Sequence, residues 1–205
     1  DLTAKEVESI EQEPACFGFC PLPENTFAFE TRERTQRQPV PEIAALVASV
    51  SQTRLTDTLT RLAGFRTRHS LSSEFSAAAD WMKSELEIVG FAVSKRAISV
   101  GSGTSFNVVA DRQGSGANRR LIIVTAHLDS VNTAGGAAAA SPGADDNGSG
   151  AAGVLEIGRI LAAQSPEHDL RLILFGGEEQ GLHGSQQYVG SLGQVDRSRL
   201  DSVIN

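Results

Sequence analysis

Leu121-Ile122-Ile123-Val124-Thr125-Ala126-His127-Leu128-Asp129-Ser130 decides how this chain is read. A continuous apolar run is what a strand buried on both faces of a sheet requires, and here polar and charged residues gather at its C-terminal end. The same shape recurs at Leu170–Phe175, which runs into Gly176-Gly177-Glu178-Glu179-Gln180-Gly181-Leu182-His183-Gly184-Ser185. Between the two strands lie Pro142-Gly143-Ala144-Asp145-Asp146-Asn147-Gly148-Ser149-Gly150 and a helical pattern over Ser149–Ala163. Strand, helix and strand with short joins predict an α/β fold with a mostly parallel or mixed central sheet flanked by helices. Such sheets hold ligands beyond the C-terminal ends of their strands. One imidazole and several carboxylates gathered there suit a hard-to-borderline divalent metal, zinc first.

Working outward, Ile43, Leu46, Val47 and Val50 share a face from Glu42, and Leu55, Leu59 and Leu62 continue at helical spacing up to Gly64. A second helix is expected from Ser72, its cap, to Val89, with Phe75, Ala78, Met82, Leu86 and Val89 as the buried stripe and Gly90 as the stop. Ala92–Val100 and Phe106–Ala110 read as strands, and Gln113–Ala117 as a turn. Gly184–Leu192 starts another helix, and Ser202–Asn205 opens one more strand.

Residues 1–41 carry mixed charge and no sustained period, and Pro14, Pro21, Pro23, Pro39 and Pro41 break regular structure there. They read as an irregular extension or the remnant of a pro-segment, with a disordered tail as an equal reading. Residues 42–205 read as the N-terminal part of a domain. Cys16 and Cys20, the two cysteines, read as a short-range disulfide in an exported protein, with free thiols as the alternative. The net charge of -7 argues against nucleic acid or an anionic membrane as the main partner. The longest apolar runs are strand-sized, too short for a membrane span.

Each charged cluster also has a plain structural reading. His127-Leu128-Asp129 alone fits a structural hydrogen bond. Asp145-Asp146 before a helix fits an Asx turn and an N-cap, although two adjacent carboxylates repel and a cation would explain them. Glu178-Glu179 alone fits solvated surface, yet a buried strand and flanking glycines place the pair at a strand end. Two such carboxylates in different surroundings can divide the roles of ligand and base. His69, in Arg66-Thr67-Arg68-His69, reads as part of a solvated loop, and His183 as a neighbour of the site that does not ligate.

The three segments His-Leu-Asp-Ser, Pro-Gly-Ala-Asp-Asp-Asn-Gly-Ser-Gly and Gly-Glu-Glu-Gln-Gly-Leu-His-Gly-Ser together resemble the di-zinc aminopeptidases of the M28 family, in order and spacing. Phe65-Arg66, Ala79-Asp80-Trp81 and Phe106-Asn107-Val108-Val109-Ala110 are similar to the family's secreted bacterial leucyl aminopeptidase branch. The resemblance implies the following roles. His127, Asp146 and Glu179 bind two Zn2+ ions, with Asp146 bridging them. Glu178 is the general base, and Asp129 supports His127. A cis peptide follows Asp146. The implied activity is removal of N-terminal residues from peptides by a secreted or periplasmic enzyme of zinc-exopeptidase fold. A glutaminyl-cyclase-like zinc enzyme and a non-catalytic binding module are the alternatives. The family's remaining aspartate and histidine ligands find no counterpart, since Asp196 and Asp201 precede the last strand. The resemblance therefore implies a fold incomplete at its C-terminus, completed by a second polypeptide or a detached segment.

Overall fold

The computed structural model describes residues 40–205. Nearly all of the expected extension, and the Cys16–Cys20 pair, lie outside the described residues. The elements are α1 (Pro41–Ala48), α2 (Gln52–Ala63), α3 (Ser73–Ile88), β1 (Ala92–Val100), β2 (Gly103–Arg112), β3 (Leu121–His127), α4 (Ser149–Ala162), β4 (Asp169–Phe175), α5 (His183–Ser191), α6 (Gln194–Arg199) and β5 (Leu200–Ile204). The strands form one sheet in the order β1-β2-β4-β3-β5. β3 runs parallel to both β4 and β5, while β2 is antiparallel to β1 and to β4. The sheet is therefore mixed: its parallel half carries the charged strand ends, and its antiparallel half is a hairpin turned at Gly101.

The sheet has helices on both faces, and strand parity assigns each side chain. Val108, Ala110, Val124, Ala126, Leu172 and Leu174 point to one face. There they meet Phe75, Met82 and Leu86 of α3 and Ala151, Val154 and Leu155 of α4 in the main core. Their neighbours Val109, Ile123 and Ile173 point to the other face, against Tyr188 of α5. The apolar run of β3, and that of β4 after Arg171, follow from this two-sided burial. Leu172, fully buried between β2 and β3 and over Gly158 of α4, is a central member. Leu172→Ala should cost about 2–5 kcal/mol of unfolding free energy, because the closely packed surroundings cannot collapse onto the cavity. Urea unfolding measures this directly.

α3 matches its sequence pattern closely. Ser72 caps it by accepting the Phe75 N–H at 3.0 Å, and Gly90 leaves it with φ +95°. The pattern before it needs correction. The single apolar face expected from Glu42 to Leu62 is two helices, broken at Ser51, whose side chain caps α2 through Arg54 N–H. Ile43 and Val47 on α1 are more than half exposed. The break has a tertiary cause. Buried Glu156 of α4 accepts the Ser51 N–H at 2.7 Å and pairs with Arg159, which donates to the Ser49 carbonyl at 2.7 Å. α6 had no sequence signal, being six residues with no buried side chain. Asp196 on α6 pairs with Arg171, and Asp201 on β5 with Arg120, so both aspartates serve ion pairs.

The Glu156 carboxyl sits below its ordinary 4.5, held there first by the hydrogen bond from Arg159, against the opposing effect of burial. Asp169 also sits below its ordinary 3.8; burial works against this, but the Gly114 N–H and Arg199 outweigh it. Both folded values are depressed, so their contribution to stability is complete above the unfolded values and disappears as pH falls through the folded ones. Unfolding midpoints should therefore fall as pH drops below about 4.5. Glu156→Gln should flatten that dependence.

Candidate metal centre

β3 and β4 lie side by side and parallel, with His127 in register with Phe175, so both strand ends open at the same edge. Leu128 N–H continues the ladder to the Phe175 carbonyl at 2.7 Å, locking the two exits together. β3 delivers His127 and Asp129, and β4 delivers Glu178 and Glu179. The third segment, Ala144–Gly148, is an irregular turn entering α4. Its Asp146-Asn147 peptide is cis, as the resemblance implied. Asn147 Oδ1 accepts the Gly150 N–H at 2.9 Å and so supports the first turn of α4, while Asp145 points to solvent.

These segments bring His127, Asp146 and Glu179 together, with one donor atom from each lying within 4.8 Å of the others. His127 Nε2 stands 2.9 Å from Asp146 Oδ1. Zinc holds nitrogen and oxygen donors at about 2.0–2.2 Å, which places tetrahedral donors about 3.4 Å apart, so this spacing fits one ion with small adjustment. Glu178 is outside the trio, its Oε2 3.8 Å from His127 Nε2. An apolar cavity of about 350 Å³, reaching Phe175, Leu182 and Tyr188, opens beside Glu178 and leaves its carboxylate approachable.

Four carboxylates around one imidazole leave excess negative charge. Burial opposes a charged His127, but Asp129, ahead of Glu178 and Asp146, outweighs it and pushes the ring up to about 9. Burial, then the charge of Asp146, raises Glu179. Both shifts describe a cluster that a cation would relieve.

Asp129 is fully buried, and its contacts divide. His127 Nδ1 lies 3.2 Å from the Asp129 main-chain carbonyl and 3.7 Å from its carboxylate. The longer contact is electrostatic, beyond hydrogen-bond length. The carboxylate itself accepts the N–H groups of Glu178 at 3.3 Å and Glu179 at 3.1 Å. Asp129 therefore ties the β3 exit to the glutamate loop.

Other buried polar residues complete the support. Asn107 on β2 accepts the Gly176 N–H at 3.1 Å and donates to the Gly184 carbonyl at 2.9 Å, and Ser70 accepts the Gly177 N–H at 2.6 Å. Asn107 was visible as a lone amide in an apolar strand. The segment around His69 corrects its sequence reading as a solvated loop: Thr67, Arg68 and Ser70 are buried because they bond to the loops of the site. His183 begins α5 and stands outside the donor trio.

A mixed sheet whose parallel strands deliver one histidine and several carboxylates to a common edge defines a class, the α/β proteins with a carboxylate-rich candidate metal site at their strand ends. Residues 107–205 match the model described as peptidase family M28, and over this segment the chain belongs to that family. A probable zinc metalloprotease of Leptosphaeria maculans is 34% identical over 187 residues, covering 82% of this chain and 43% of that protein. The leupeptin-inactivating enzyme 1 of Streptomyces exfoliatus is 32% identical over 133 residues, covering 64% of this chain and 28% of that protein. Among solved structures, an aminopeptidase from Aneurinibacillus sp. strain AM-1 superposes with a TM-score of 0.68 at 15% identity, covering 77% of this chain and 70% of that one. That likeness shows the fold. The chain spans about two fifths of the length of the curated zinc metalloproteases that it matches. These matches lend no support to the expected second polypeptide. Among the described residues, no helix is long and apolar enough to cross a membrane.

Proposed function

We propose that this chain carries the metal-binding part of a zinc-dependent aminopeptidase that removes N-terminal residues from peptides outside the cytoplasm. The observation that carries the reading is the convergence of His127, Asp146 and Glu179, with Glu178 beside them and outside the set. The donor chemistry, one imidazole nitrogen and carboxylate oxygens, fits zinc. Asp146, whose side chain is exposed, would also be available to hold a second ion if one binds. When bound, zinc supplies Lewis acidity at a peptide carbonyl and acidifies water.

The chain's own residues supply the rest. Glu178 is placed to take a proton at its carboxylate and to release it to a leaving amine. Asp129 holds the main chain of Glu178 and Glu179, so base and ligand keep a fixed separation. His127 receives its orientation from the Asp129 carbonyl at Nδ1, leaving Nε2 for the ion.

The test is hydrolysis of amino-acid p-nitroanilides compared with cyclisation of glutaminyl peptides, before and after chelation. p-Nitroanilide hydrolysis that disappears on chelation and returns with zinc is expected. Cyclisation without hydrolysis, or full hydrolysis by metal-free protein, contradicts the reading.

A further inference from the structure

We infer that Arg68 is a positioning residue for the metal site: its guanidinium fixes the Asp146 loop against the end of β3 and thereby sets the spacing of the metal donors. The inference rests on the metal-site reading above. Arg68 is fully buried and is the largest fully buried side chain among the described residues. Its Nε donates to the Leu128 carbonyl at 2.8 Å, between His127 and Asp129. Nη1 donates to Pro142 at 2.5 Å and to Leu62, in the last turn of α2, at 3.0 Å. Nη2 donates to Gly143 at 2.8 Å. All four acceptors are main-chain carbonyls, drawn from three segments. The Arg68 main chain joins in, exchanging hydrogen bonds with Ser130: its N–H donates to Ser130 Oγ and its carbonyl accepts the Ser130 N–H.

A buried guanidinium is costly, and an apolar side chain could fill the same volume without that cost. A planar fork supplies something an apolar residue cannot, a set of donors at fixed angles that register three backbones at once. Gly143 shows how closely the loop is seated. It has φ +47°, and a Cβ there would lie 3.1 Å from Arg68 Nη2 and 2.5 Å from the Asp146 carbonyl oxygen. The Gly143 carbonyl also accepts the Gly148 N–H at 3.0 Å, closing the turn that contains Asp146. The side chain of Asp146 is 75% exposed, and His127 is its polar contact. Its position is therefore set through its main chain, and Arg68 holds that main chain to the strand end bearing His127.

The experiment measures zinc and cobalt affinity by chelator competition, and the cobalt visible spectrum, for the full chain with Arg68→Lys and with Arg68→Met. Near-UV circular dichroism establishes that the protein measured is folded. Both variants should bind metal about 10–100-fold more weakly, with altered cobalt bands and at most partial rescue by lysine. Leu172→Ala, destabilised in the core, should keep the original affinity and spectrum, which separates positioning from general stability. A folded Arg68→Lys with unchanged affinity and spectrum overturns the proposal. If neither arginine variant folds, the Arg68 Nε–H resonance of the unmodified chain decides. It should shift on zinc titration and saturate with the site, and an unmoved resonance at full occupancy overturns the proposal. An unmodified chain that binds no zinc overturns the metal-site reading itself and this inference with it.

Discussion

Replacing Glu178 with glutamine should lower kcat by about 10²–10⁴-fold while zinc content stays at its original level. The carboxylate lies 3.8 Å from His127 Nε2, outside the trio of converging donors, and faces the open side of the site. Glutamine is nearly isosteric, so the main-chain bond from residue 178 to Asp129 survives. What disappears is the carboxylate oxygen that would take the proton. The loss should therefore fall on kcat, with KM little changed, because the substrate's other contacts remain. Metal loss in this variant would reassign Glu178 as a ligand.

Glu179→Gln should have the opposite signature, with zinc affinity falling by more than the roughly 10–100-fold typical of residues that only support ligands. Glu179 is adjacent in sequence, yet its carboxylate turns toward His127 and Asp146. Burial and the charge of Asp146 raise its pKa, as for a carboxylate crowded by like charge that a cation would relieve. The amide keeps the shape and loses the charge. Activity should return in part at high zinc concentration, since a weakened site can be refilled by mass action. No such recovery is expected for Glu178→Gln. Measuring zinc content and kcat on the two variants side by side separates ligand from base, whose codons are neighbours and whose side chains are chemically identical.

Much of this was legible in the sequence because two-sided burial leaves a local trace. The apolar runs ending at His127 and Phe175 announced buried strands, and their charged ends announced the edge where His127, Asp129, Glu178 and Glu179 now stand. Ser72 and Gly90 marked the limits of α3 through capping chemistry that involves only neighbouring residues. The failures are tertiary. The break at Ser51 depends on Glu156, 105 residues away. Arg68 reads locally as solvated because its composition is polar, and its burial depends on carbonyls that follow it by 60–75 residues. Asp129 was expected beside His127, and its carboxylate lies 3.7 Å from Nδ1; that the same carboxylate also accepts the N–H groups of the glutamate loop is a tertiary pairing that no local pattern encodes. Hydrophobic period locates the elements; the partners of buried polar groups emerge only once those elements are packed.

The central claim is that His127, Asp146 and Glu179 together hold a zinc ion. Its most direct test is a crystal grown with zinc and measured on both sides of the zinc absorption edge. An anomalous peak is expected about 2.0–2.2 Å from His127 Nε2 and from carboxylate oxygens of Asp146 and Glu179. Folded protein at saturating zinc with no peak at those three side chains, or with a peak held by other residues, would contradict it.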